Sequence, residues 1–122
     1  MTVNKKLFNK IVCFDIDGVI CKNINNEYHH SQPILKTIKL INNLYNNNYY
    51  IKLFTARFMG RNNDDCVKAK KQGLNLTKKQ LKAWNVKYHE LIMCKPSYDL
   101  FIDDKNLGFT KDWHKYIKKK LV

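Results

Sequence analysis

Apolar and polar positions along the chain predict four strands with helices between them. Lys10–Gly18 opens on a short apolar run, Ile11, Val12 and Phe14, and ends in Asp15, Asp17 and Gly18. An unbroken run of this kind suits a strand covered on both faces, as in parallel sheets. Both carboxylates then fall at its C-terminal end and point the same way. Residues 21–32 are polar and predict a loop or flap. Pro33 suits a first helical turn, and Ile34, Leu35, Ile38, Ile41, Leu44 and Tyr45 recur at helical spacing, so a helix is expected over 33–46, closed by Asn46, Asn47 and Asn48.

Tyr49–Phe54 predicts a second strand, ending at Thr55-Ala56-Arg57 and followed by a loop through 58–63. Residues 64–72 predict a short helix stopping at Gly73. Thr77-x-x-Gln80 reads as a capping box opening another helix, with Leu81 and Trp84 on its apolar face. Tyr88–Met93 is a third strand candidate leading to Cys94-Lys95-Pro96, and Leu100–Ile102 a fourth, ending at Asp103-Asp104. Thr110 is placed to cap a final helix carrying Trp113, Tyr116, Ile117 and Leu121. Strands alternating with helices imply an α/β fold with right-handed crossovers, and 122 residues make one domain, 1–122.

Composition changes this picture little. The net charge of +13 brings nucleic acid to mind. Yet the basic residues are spread along the chain, 21 of the 23 are Lys, and Asn occurs 15 times, as an AT-rich coding sequence would produce. The acidic residues are more telling, because four of the ten form two tight pairs, Asp15/Asp17 and Asp103/Asp104. No apolar stretch approaches the ~20 residues of a membrane span, and the first residues hold no apolar signal core. The four cysteines show neither Cys-x-x-Cys nor zinc spacing and are expected as reduced thiols of a cytoplasmic protein.

The strand ends carry the chemistry. Asp15, Asp17, Asp103 and Asp104 offer hard oxygen donors suited to Mg²⁺, which takes one or two carboxylates with waters and phosphate oxygens. A calcium loop would need a Glu downstream, where Val19, Ile20 and Cys21 stand instead. A phosphate placed against Asp15 permits transfer to the carboxylate, with Asp17 moving protons and Thr55 and Lys95 holding phosphoryl oxygens.

Phe14-Asp15-Ile16-Asp17-Gly18-Val19, Phe54-Thr55-Ala56-Arg57, Lys95-Pro96 and Phe101-Ile102-Asp103-Asp104 resemble, in order, the four motifs of the haloacid dehalogenase superfamily of phosphatases. The resemblance implies a three-layer Rossmann-like fold, a mainly parallel sheet of order 3-2-1-4 with helices on both faces. It implies Asp15 as nucleophile, Asp17 as general acid/base, and Thr55, Ala56, Arg57 and Lys95 at the phosphate or substrate. Asp15, Asp17 through its carbonyl, Asp103 and Asp104 would hold Mg²⁺. Pro33-Ile34, Thr55–Gly60, Thr77–Trp84 and Lys95–Lys105 look like small phosphatases linked to capsular polysaccharide biosynthesis, which implies a sugar or polyol phosphate as substrate.

Two departures stand out. No cap domain fits between the motifs, so the site is expected to be open, or completed by the flap, the loop 56–63 or a neighbouring copy in a homo-oligomer. The interval from Lys95 to Asp103 is only eight positions, fewer than a parallel crossover needs, so a compressed return through 96–98 is expected. The alternative reading is a polynucleotide 3′-phosphatase or nucleotidase. It ranks second because no clustered basic and aromatic stripe is evident in the sequence.

Overall fold

Three of the four expected strands form and pair side by side. A computed structural model describes residues 7–25 and 27–121; the first six residues, read above as holding no apolar signal core, lie outside them. In chain order the elements are β1 (Ile11–Phe14), β2 (Cys21–Ile24), β3 (Glu27–Pro33), α1 (Leu35–Asn46), β4 (Tyr50–Phe54), α2 (Cys66–Ala83), β5 (Glu90–Ile92) and α3 (Ile117–Leu121). β4 lies between β1 and β5 and runs parallel to both.

Register decides which side chains share a face. Val12 opposes Ile51, Phe14 opposes Leu53, and Leu53 opposes Leu91, so these five point one way. They join Ile38, Ile41 and Leu44 of α1, Leu81 of α2, Trp113 and Ile117 in one core. Both crossovers step the same way across the sheet, and right-handed connections then put α1 and α2 on the same side. The other face carries Cys13, Ile11 at 47% exposure and a Lys52–Glu90 ion pair of 3.7 Å. The expected cover of helices on both faces is therefore not seen among the described residues.

The cause lies in the short interval after Lys95. Eight residues leave no room for a helix to cross the sheet, and Leu100–Ile102 forms no strand: Leu100 and Ile102 are 76% and 86% exposed. The expected compressed return is absent too, and β1 is an edge strand instead of a central one.

Other expectations shift locally. The polar stretch 21–32 is an antiparallel hairpin, β2 with β3, and Pro33 ends β3 rather than starting the helix. The two helices expected on either side of Gly73 are one continuous helix, α2, capped by the Asp65 side chain, which accepts from Lys68 N–H. Gly73 does not stop this helix. It is buried under the Phe58 ring, where a Cβ would come within 2.3 Å, so the contact leaves no room for a side chain. Near the C-terminus a 3-10 turn, Trp113–Tyr116, precedes α3; Trp113 and Ile117 are buried, while Tyr116 is 48% exposed.

The thiol expectation is also corrected. Cys66 and Cys94 form a disulfide, and only Cys13 and Cys21 are free. Among the described residues no helix is long and apolar enough to cross a membrane.

Candidate active site

The chain leaves β1 through a tight turn built on one carbonyl. Ile16 C=O accepts from the N–H groups of Val19, Ile20 and Cys21 at 3.1, 2.8 and 3.2 Å. Gly18 sits at φ +86°, a conformation that a side chain would strain. The turn leaves Asp15 and Asp17 at the C-terminal end of the strand, where open α/β sheets bind ligands.

Each carboxylate meets its own cation. Lys95 Nζ lies 3.8 Å from Asp15 Oδ2. Asp15 Oδ1 accepts from Ile16 N–H at 2.8 Å. Burial raises the Asp15 carboxyl above its ordinary value, while the Lys95 charge pulls it back down. The Lys95 ammonium is itself largely buried and faces the rings of Phe54, Tyr98 and Phe101 at 5.7, 5.3 and 5.0 Å.

Asp17 is gripped by Arg57, whose Nε is 3.1 Å from both carboxylate oxygens and whose Nη2 is 3.0 Å from Oδ1. Arg57 is 1% exposed, and its other donors reach Thr77 Oγ1 at 3.3 Å, Gln80 Oε1 at 2.5 Å and Ser31 Oγ at 3.4 Å. The Tyr28 ring lies 5.0 Å from the guanidinium, and Gln80 donates to Tyr28 C=O at 2.6 Å. One arginine thus joins the β1 turn, the hairpin and α2. The Cys21 thiol touches both Arg57 and Asp17, and burial followed by the Asp17 charge pushes it up to about 11, so it stays protonated.

Thr55 connects the two halves. Its backbone C=O accepts from Lys95 N–H at 3.1 Å, and its Oγ1 accepts from Arg57 N–H at 3.1 Å. Thr55 is wholly buried; Ala56 is half-buried beside Phe58 and Met59.

Asp15, Asp17, Thr55, Ala56, Arg57 and Lys95 are therefore brought together from β1, β4 and the loop after β5. Asp103 and Asp104 are exposed. Asp103 makes a local turn, accepting from Lys105 N–H at 2.9 Å, and among the described residues no three His, Cys, Asp or Glu gather as a metal site. Sequence reasoning missed the partners of Arg57. Thr77 and Gln80 stand one turn apart in the sequence, a spacing that equally fits a cap. Nothing in the spacing signalled Cys66–Cys94, which are 28 residues apart.

No protein-family profile and no curated protein matches the chain. Two solved structures are similar. The crystal structure of an MCSG target from Vibrio cholerae shares 21% identity at TM-score 0.76, over 91% of this chain and 98% of that one. A chain of the Pnkp1/Rnl/Hen1 complex shares 15% identity at TM-score 0.52, over 80% of this chain and 31% of that one. The likeness is one of fold.

Proposed function

We propose that the protein is a phosphomonoester hydrolase acting through an aspartyl-phosphate at Asp15. The observation that carries this reading is the pairing of Asp15 with Lys95 beside Asp17 with Arg57 at one strand end. A phosphoryl group held by Lys95 would lie beside the Asp15 carboxylate. Attack by Asp15 oxygen forms the new P–O bond as the bond to the alcohol breaks, and Asp17, when it enters the cycle protonated, gives the departing oxygen that proton. Asp17 then takes a proton from water as that water attacks phosphorus and releases Asp15. Lys95 offsets charge on the phosphoryl oxygens, and the Arg57 fork fixes the direction in which Asp17 faces.

The donor chemistry suits Mg²⁺, since the Asp15 carboxylate and the Asp17 backbone carbonyl offer hard oxygens at one strand end, as this ion takes from a protein. Asp15 through its carboxylate and Asp17 through its backbone carbonyl would hold it, with Asp103 and Asp104 joining from their exposed segment. The ion would supply further positive charge against the phosphoryl group. The motif resemblance to haloacid dehalogenase phosphatases of capsular polysaccharide biosynthesis supports a sugar or polyol phosphate as substrate. A nucleotide or polynucleotide end is the second reading, supported by the net charge of +13 and by the surface described below.

The test is phosphate release from p-nitrophenyl phosphate with and without Mg²⁺. Asp15→Asn is expected to abolish turnover; turnover surviving that change would remove the mechanism.

A further inference from the structure

We propose that the outward face of α2 is a binding surface for single-stranded nucleic acid. α2 contains six lysines and no acidic residue. Five of them, Lys68, Lys71, Lys78, Lys79 and Lys82, lie on the exposed arc opposite buried Ala69, Gly73, Thr77 and Leu81. They recur about once per turn, with exposed Asn75 filling the row, and at 1.5 Å per residue the row runs about 21 Å.

The fold does not call for this row. Among the described residues none of these lysines enters an ion pair. Lys78 and Lys82, four apart, repel one another, and Lys68 opposes the dipole in the first turn. Uncompensated point charges in a line suit a polyanion that arrives with its own counterions.

Two further observations fix the occupant. The Cys66–Cys94 disulfide, with Cα atoms 5.2 Å apart, holds the first turn of α2 beside Lys95, so the first lysine of the row lies one helix diameter, ~10–12 Å, from that strand end. At that strand end Tyr98 and Phe101 are 45% and 41% exposed and stack at 5.1 Å, with Lys95 facing both. Exposed aromatic rings together with a lysine track are what single strands use, with rings for bases and ammonium groups for phosphates. The surface stands apart from catalysis; only its consequence, a strand end delivered to Asp15, rests on the phosphatase reading.

Fluorescence anisotropy with a labelled 20-nucleotide oligothymidylate tests it on the full chain. Lys71→Gln/Lys78→Gln/Lys82→Gln is expected to weaken binding about 10-fold or more and to lower the slope of log affinity against log salt by about 2. Its turnover of p-nitrophenyl phosphate should match the parent. Lys36→Gln/Lys39→Gln/Lys115→Gln removes equal charge elsewhere and should change affinity less than about 2-fold. Equal losses in both triples, no binding by the parent chain at 50 mM salt, or tighter binding of a heparin fragment of equal charge would each overturn the proposal. Asp15→Asn should keep the parent affinity. Binding without phosphate release from a 3′-phosphorylated strand would leave the surface standing and sink the phosphatase reading alone.

Discussion

The Arg57 guanidinium holds both oxygens of the Asp17 carboxylate, 40 residues away in sequence, while its remaining nitrogens are spent on the hairpin and α2. Arg57→Ala leaves Asp17, Thr77 and Gln80 without this partner and is expected to cost about 3 kcal/mol of stability. Arg57→Lys keeps the charge but loses the fork. The lysine variant should fold and turn over p-nitrophenyl phosphate on the order of 10²-fold more slowly, with KM little changed. Parental kcat in that variant would show that the orientation of Asp17 is not set by Arg57.

Gly73 and Phe58 should behave as one unit. Gly73→Ala drives a methyl into the Phe58 ring and is expected to destabilise by about 1–3 kcal/mol despite the better helix propensity of alanine. Phe58→Leu opens space there, so the double variant should lose less than the sum of the singles. Additive losses in chemical denaturation would show that the contact does not decide the residue.

Acid should weaken the fold through two histidines. His89 lies between the Tyr45 and Tyr50 rings, each at 4.5 Å, and its Nδ1 accepts the Ile51 N–H at 3.0 Å. His114 meets Thr37 Oγ1 at 2.9 Å. Burial, as the first cause, lowers both below the ordinary 6.5. The unfolded chain therefore binds protons more readily, so the stability they provide is complete above pH ~6.5 and is lost as pH falls through their lowered values. Tm measured from pH 7.5 to 5 should fall, and His89→Gln should flatten the fall. An unchanged slope in that variant would assign the loss elsewhere.

The Cys66–Cys94 bond closes a span of 28 residues, for which loop entropy gives about 3–4 kcal/mol. Thiol labelling of the unfolded, unreduced chain should find two free groups, Cys13 and Cys21, and reductant should lower Tm. Four reactive thiols would restore the reduced chain expected from the spacing.

What sits at each strand end is settled locally. The runs at 11–14, 49–54 and 88–93 are local signals, and a run that ends in Asp, Thr or Lys carries that residue to the sheet rim whatever the rest of the chain does. That much of the site was legible: Asp15, Asp17, Thr55 and Lys95. Tertiary structure decided the partners. Arg57 could be read as a substrate ligand or a structural ion pair; its burial between three elements shows the second, because only packed neighbours can use all its donors. Gly73 and Thr77-x-x-Gln80 look like a helix stop and start locally. Their true partners, Phe58 and Arg57, lie 15 to 23 residues back along the chain, beyond any local pattern. Leu100–Ile102 has the composition of a strand, yet a strand exists only where a neighbour offers hydrogen bonds, and the eight residues after Lys95 do not bring it alongside β1. The lysines of α2 looked diffuse in one dimension. Winding at 3.6 residues per turn gathers five of them into a row.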